Sequence, residues 1–119
     1  MSHLVTMKTQ LRDVAAIEVA CRRFGLPAPT QGTARLYSNQ ATGVIVQLPG
    51  WTYPAVIDIA SGNVAYDNFG GRWGDQAELG KFQQAYAVEL AKIEARRQGH
   101  VCSEQLLADG SIKVAIEVS

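Results

Sequence analysis

Apolar residues recur along the chain with two different spacings. In residues 14–24 and 76–98 they step by three and four residues, the spacing of one helix face, and a glycine follows each segment. Elsewhere β-branched and aromatic residues form short runs between proline, glycine and asparagine turns, which is typical of strands. These runs cover residues 4–8, 33–37, 43–48, 55–60, 64–66 and 112–118.

Polar residues mark the start of both predicted helices. Asp13 is placed to cap the first helix, and Asp75 with Glu78 has the spacing of a reciprocal capping box for the second. The apolar spacing predicts which residues face the core. In the first helix they are Val14, Ile17, Cys21 and Phe24, and in the second Leu79, Phe82, Tyr86, Leu90 and Ile93.

The C-terminal segment predicts a β-hairpin. Asp109 and Gly110 form a two-residue turn signal, and residues 112–118 alternate apolar and polar, so one face of the last strand should be buried. The order of elements predicts an α+β fold: a mainly antiparallel sheet with two helices packed on one face, as a ferredoxin-like variant ending in this hairpin. A chain of 119 residues should form a single domain with a radius of gyration of roughly 13 to 14 Å.

Composition narrows the class of protein. Eleven Lys and Arg balance eleven Asp and Glu, so no global field attracts nucleic acid or a membrane surface. No apolar run approaches the roughly 20 residues that cross a bilayer, and no leader pattern opens the chain, so we expect a cytoplasmic protein. The two cysteines, Cys21 and Cys102, are too few and too dissimilar in setting to suggest a disulfide framework.

Known chemical motifs are missing from the sequence. Residues 67–78 have acidic ends like a calcium loop, but Phe69 and Gly71 stand at positions where oxygen ligands belong. The glycines miss the spacing of nucleotide-binding loops. His100 and Cys102 are two residues apart on one strand face, which is too few ligands for a metal site. We therefore expect no cofactor, no metal and no catalytic residue; an enzyme centred on His3, His100 or Cys102 is the least favoured alternative.

Three aromatic residues and three glycines crowd residues 66–75, between a predicted strand and the longest helix. Trp and Tyr suit both protein cores and binding hot spots, and glycine allows another backbone to approach closely. Core packing of these rings is the simpler interpretation. If they are exposed instead, the candidate binding residues are Trp51, Tyr53, Asn68, Phe69, Arg72 and Trp73, joined by His3 and Lys8 near the N-terminus.

Several segments carry a resemblance to a known family. Residues 1–13, 66–75, 84–87 and 109–113 resemble the plastid and cyanobacterial family called hypothetical chloroplast open reading frame thirty-five, which has broader bacterial relatives. The resemblance implies a small soluble protein without assigned catalytic residues. It also implies a place within a larger assembly that contains an ATPase.

These observations predict a non-catalytic module that binds a protein partner through the aromatic and glycine-rich segment. The alternative is a nucleic-acid binder in which rings stack on bases and arginines hold phosphates. An exposed sheet edge would also make a homo-oligomer possible.

Overall fold

The structure is a computed structural model that describes the backbone of residues 4–8 and the whole of residues 11–109 and 112–117. In this part of the chain it has two α-helices, seven β-strands and one 3₁₀ turn. The strands are β1 (Leu4–Lys8), β2 (Thr30–Arg35), β3 (Gln40–Val46), β4 (Ala55–Asp58), β5 (Asn63–Asp67), β6 (Val101–Leu106) and β7 (Ile112–Glu117). The helices are α1 (Val14–Arg23) and α2 (Gln76–Arg97), and the 3₁₀ turn is Phe69–Gly71.

The strands form two separate antiparallel sheets. Strands β2 to β5 follow one another as a meander, and β1 pairs with the outer edge of β5, so the five-stranded order is β1-β5-β4-β3-β2. Among the described strands, the last two pair only with each other, as a C-terminal hairpin. The predicted α+β class, with its mainly antiparallel sheet, two helices and terminal hairpin, is confirmed. Strand β1 lies at one edge of the sheet and β2 at the other, and all four adjacent pairs are antiparallel.

Helix α1 begins where Asp13 accepts a hydrogen bond from the Ala16 amide at 3.1 Å. Ile17 and Cys21 are buried, as their spacing predicts. The first and last residues predicted to face the core are exposed instead: Val14 is 37% exposed and Phe24 is 36% exposed. The prediction that these two residues are buried is therefore wrong. The buried face of α1 consists of Ala16, Ile17, Ala20 and Cys21; Val14 lies to one side of this face, and Phe24 is the C-cap residue just after the helix.

Helix α2 begins at a capped residue and supplies much of the core. Asp75 accepts from the Ala77 amide at 3.0 Å, whereas the predicted partner Glu78 turns to Lys81. Half the predicted capping box is therefore observed. The predicted core face is confirmed: three of its residues are buried and two are partly buried against the core, in the order Leu79, Phe82, Tyr86, Leu90 and Ile93.

The core lies between the helices and one face of the five-stranded sheet. Val44, Ile57 and Val64 from neighbouring strands join helix residues in one cluster. Tyr86 ties the two helices together, because its hydroxyl accepts hydrogen bonds from the amides of Arg12 and Asp13, each at 3.1 Å. The helices are thus held to each other both by apolar packing and by a partly buried polar contact at the start of α1.

The C-terminal hairpin is less buried than its alternating pattern predicts. Ile112 and Val114 are half-buried, but Ile116 is 46% exposed and Leu106 is 73% exposed. The prediction of a buried face is therefore wrong for Ile116, because the hairpin is a separate sheet of two strands and no further strand in the described residues extends it. Val118 lies outside the described residues. The partly uncovered hairpin fits a radius of gyration of 15.1 Å, larger than the sequence predicts.

Ion pairs connect the hairpin to both helices. Glu104 of β6 contacts Arg23 of α1 at 2.9 Å and Lys92 of α2 at 3.4 Å. Lys92 also pairs with the buried Glu89 at 3.1 Å. The hydrogen bond from Arg23 lowers the pKa of Glu104, and the positive charges of Arg23 and Lys92 lower it further. The hairpin is therefore attached partly by charge.

We expect Glu104→Gln to reduce the free energy of unfolding at neutral pH by up to about 1 kcal/mol, the scale for partly exposed ion pairs. A lowered folded pKa stabilises the fold above the unfolded value of about 4.3, and this stabilisation is lost as the pH falls through the folded pKa. Urea titrations at several pH values should show the difference from the wild-type chain disappearing in acid. Glu94→Gln, in an exposed pair on α2, is the control; an equal effect there would contradict a special role for Glu104.

No helix in the described residues combines the length and the apolar character that a transmembrane span requires.

Candidate interaction surface

The glycine-rich segment after β5 forms a compact turn. The Asn68 carbonyl accepts hydrogen bonds from the amides of Gly71, at 2.9 Å, and Trp73, at 3.0 Å. Gly70 and Gly71 have positive φ angles of 63° and 103°, which glycine adopts without a steric cost. The glycines here serve a tight change of direction that turns the chain from β5 into α2.

The Asn68 side chain points inward. It is 5% exposed, and its Nδ2 donates to the Gly74 carbonyl at 3.3 Å and to Gln76 Oε1 at 3.0 Å. Gln76 Nε2 in turn donates to the Tyr66 hydroxyl at 3.3 Å. The side-chain amide of Asn68 therefore stabilises the turn and is not accessible to a partner, so we exclude Asn68 from the candidate surface.

Trp51 is also part of the interior. Its side chain is 5% exposed, its Nε1 donates to the Asp75 carbonyl at 3.1 Å, and its ring lies edge-on to Tyr66 with 5.5 Å between centroids. The ring also lies directly against Gly74, where an added Cβ would be 2.4 Å from it. A partner cannot reach this ring in the folded chain, so Trp51 supports the surface from below and does not belong to it.

Three other rings meet around Trp73. Its centroid is 4.7 Å from Phe69, 5.0 Å from Tyr37 and 5.6 Å from Tyr53, and all three pairs are inclined or edge-on. Such geometries are favourable for aromatic pairs. We call these residues, Tyr37, Tyr53, Phe69 and Trp73, the aromatic patch. Tyr37 is 47% exposed and the other three are half-buried, so the patch is continuous with the surface.

Three separate segments build the aromatic patch. Tyr37 comes from the turn between β2 and β3, which is closed by a 2.7 Å hydrogen bond from the Leu36 amide to the Asn39 carbonyl. Tyr53 comes from the loop before β4, and this loop is tied to the glycine-rich turn by the Thr52 amide, which donates to the Trp73 carbonyl at 2.7 Å. The rings are therefore held by backbone contacts as well as by one another.

Arginines border the aromatic patch. The Arg72 guanidinium carbon lies 5.2 Å from the centroid of the Phe69 ring, a cation–π contact, and its side chain is exposed. Arg35 and Tyr37 line an open depression of about 510 Å³ together with Ser38, Asn39 and Gln40. Within the described residues neither arginine has an ion pair. The surface thus combines apolar rings with available positive charge.

A buried carboxylate lies under this surface. Asp67 is 1% exposed, and its Oδ1 accepts a long hydrogen bond of 3.4 Å from the Phe69 amide. Its Oδ2 has no hydrogen-bond partner in the described part of the chain. The Oδ1 contact helps to orient the first residue of the turn, and it identifies Asp67 as a supporting residue that the sequence pattern did not single out.

Tyr37 is the residue that sequence reasoning missed at this surface. It is 36 positions from Trp73, and it ends a predicted strand that the structure ends at Arg35. Two signals were available: a large aromatic residue directly before Ser38 and Asn39, which are typical turn residues, and its lack of a place in the predicted core. Neither signal indicates which other segment the ring contacts.

The remaining candidates lie elsewhere or outside the described residues. His3 lies outside them, and for Lys8 only the backbone, at the end of β1, is described. His100 precedes β6, and the thiol of Cys102 donates to the Lys92 carbonyl at 3.7 Å. Burial raises the pKa of the Cys21 thiol to about 11, which keeps it protonated and unreactive at neutral pH. Among the described side chains no three His, Cys, Asp or Glu residues are grouped to hold a metal ion.

No family model, curated protein or solved structure matches the chain. The resemblance to the plastid and cyanobacterial family stays a prediction, and the function has to be argued from the surface described above.

Proposed function

We propose that the chain is a non-catalytic protein-binding or adaptor module that receives a segment of a partner protein on the aromatic patch. The observation that carries the proposal is the convergence of four rings from three segments at the surface, with Tyr37 47% exposed. Tyr and Trp residues dominate the binding energy of protein interfaces, because they bury a large apolar area at a small cost in conformational entropy.

The packing of the patch favours binding. The rings of Phe69 and Tyr53 both pack against Trp73. The backbone of Trp73 is hydrogen-bonded to Asn68 and Thr52. A surface that is already ordered loses little conformational freedom when a partner binds, so more of the contact energy appears as affinity. Aromatic residues on an ordered turn should therefore bind a partner more tightly than the same residues on a flexible loop.

The charges around the patch indicate the chemistry of the partner segment. Arg72 lies over the Phe69 ring, and Arg35 lines the depression beside Tyr37. Neither has an ion pair with a described residue, so each can bind a carboxylate. The chain as a whole is neutral, which disfavours long-range attraction of a highly charged partner. The surface therefore fits a protein segment that presents apolar side chains together with one or two acidic groups. The resemblance noted from the sequence supports a partner within a larger ATPase-associated assembly.

We expect Tyr37→Ala to reduce recovery of the native partner at least about tenfold, since a central aromatic contact contributes roughly 2 kcal/mol or more. Affinity purification from the native cell, with mass spectrometry of the co-purifying proteins, measures this. Phe24→Ala is the matched control, because Phe24 is an exposed ring on α1 that lies outside the patch. Thermal melting should show both variants folded. Full recovery with Tyr37→Ala and with Arg72→Ala would contradict the proposal.

The alternative function is nucleic-acid binding, which the combination of stacking rings with Arg35 and Arg72 also supports. Single-stranded RNA or DNA bound in this way would dissociate steeply as salt rises, because counterions compete for the phosphates. A binding titration at low and at high salt distinguishes the two functions. Absence of binding at low salt removes the alternative and leaves the protein partner.

A further inference from the structure

The outer edge of β7 has no strand partner among the described residues. The hairpin is a two-stranded sheet, and in the described part of the chain β7 pairs only with β6. Isolated two-stranded sheets are marginally stable in water, and a third strand with an apolar face stabilises them. Ile116, near the end of β7, is 46% exposed, so this edge has both unpaired backbone groups and uncovered apolar surface.

We propose that β7 pairs with β7 of a second copy of this chain, antiparallel and centred on Ala115, to give a continuous four-stranded sheet. A twofold axis through the Ala115 pair relates the two copies, so each contact occurs twice. In this register the second copy's residues 117, 116 and 115 lie opposite residues 113, 114 and 115. The proposed surface is separate from the aromatic patch and does not depend on it.

Charge complementarity selects this register. Lys113 lies opposite the second copy's Glu117, and the symmetry makes two such ion pairs on the face that also carries Ala115. Inside the hairpin Lys113 is opposite Gln105 and Glu117 is opposite Val101, so neither charge faces an ionic partner across the described strands of its own chain. Shifting the register by one or two residues in either direction removes both ion pairs. Opposite charges that face each other across neighbouring strands stabilise a sheet.

The other face of the proposed pair is apolar. Val114 lies opposite the second copy's Ile116, which places new apolar contacts at a residue that the hairpin leaves exposed. Charged residues on an edge strand usually prevent unwanted pairing. Here a lysine and a glutamate placed symmetrically about Ala115 repel most strands but match their own copy, so the edge is selective for self-pairing.

Charge reversal tests the proposal through the mass in solution. We expect the wild-type chain to sediment at twice its 12.9 kDa as concentration rises. Lys113→Glu and Glu117→Lys each create two like-charge pairs and should raise the dissociation constant at least about tenfold. The double variant restores both ion pairs and the dimer. Mixing the two single variants should also restore it, because each supplies the charges that the other needs.

Lys81→Glu is the matched control, since it makes the same charge change on the exposed side of α2. It should leave the mass unchanged. Circular dichroism of each variant establishes that it is folded. A wild-type chain that stays monomeric up to about 1 mM, where even a millimolar dissociation constant gives measurable dimer, would overturn the proposal. A double variant no better than the single ones would overturn it as well.

Cysteine crosslinking tests the register directly. Residues paired across an antiparallel axis have Cα atoms about 4.5 to 5.5 Å apart, within the range for a disulfide. Ala115→Cys should therefore form a covalent dimer on mild oxidation, well above the wild-type level. Ser103→Cys is the control, because Ser103 lies opposite Ala115 within the hairpin but on β6. Crosslinking of Ser103→Cys without crosslinking of Ala115→Cys would place the contact on β6 and refute the proposal.

Discussion

Replacing Trp51 with alanine should lower the free energy of unfolding by about 3–5 kcal/mol, the range for removing a buried Trp or Phe side chain. Trp51 is 5% exposed and fills the space between Tyr66 and Gly74. Since domains of this size are stabilised by only about 5–15 kcal/mol in total, the variant should be close to unfolding. Urea titration followed by circular dichroism measures the loss.

Two variants separate the packing of Trp51 from its hydrogen bond and from its position in the loop. Trp51→Phe keeps a ring but loses the donor to the Asp75 carbonyl, and should lose about 1 to 3 kcal/mol. Tyr53→Ala removes a half-buried ring from the same loop and should destabilise the fold less than Trp51→Ala does. A cost for Trp51→Ala no greater than that for Tyr53→Ala would mean that Trp51 is not an interior residue.

Gly74→Ala should destabilise the fold by about 1–3 kcal/mol or more, because overpacking a filled interior forces side chains and backbone apart. A Cβ at Gly74 would lie 2.4 to 2.7 Å from three atoms of the Trp51 ring. That ring is held by its own hydrogen bond and cannot move away without loss. The measurement is again the free energy of unfolding in urea.

Gly80→Ala is the matched control, and it should act in the opposite direction. Gly80 lies in α2, and a Cβ there meets no atom within 4 Å, so alanine should stabilise the helix by roughly 0.5–1 kcal/mol. Combining Gly74→Ala with Trp51→Ala tests the contact itself, because the new methyl group should be tolerated better once the ring is gone. Equal costs of Gly74→Ala in both backgrounds would contradict the steric explanation.

The two largest predicted effects concern residues that support the aromatic patch but do not belong to it. Trp51 and Gly74 pack under the turn, and the backbone of Thr52 joins their loop to Trp73. If Trp51→Ala or Gly74→Ala loses partner binding, the cause would therefore be unfolding of the chain. If Tyr37→Ala loses binding while its melting temperature is unchanged, the cause would be the loss of a direct contact with the partner. Stability and binding need to be measured on the same variants.

The elements themselves were predictable from local chemistry. The spacing of Leu79, Phe82 and Tyr86 indicates one helix face, Asp13 and Asp75 are typical N-cap residues, and both helices start where these residues predict. Strand ends were less accurate, with β2 lying at Thr30–Arg35 instead of residues 33–37. The ends of a strand depend on which adjacent strand hydrogen-bonds to it, and a local sequence pattern does not show which strand that is.

The sequence by itself determined the α+β class, the two helices, the C-terminal hairpin and the neutral overall charge, because periodicity, caps, turn residues and composition are properties of nearby positions. Only the tertiary structure decided that Trp51 and Asn68 are interior, that Tyr37 joins Trp73, and that Ile116 is left exposed. These outcomes depend on contacts between distant segments. A tryptophan has the same local preferences whether its ring is finally covered by a glycine turn or left for a partner.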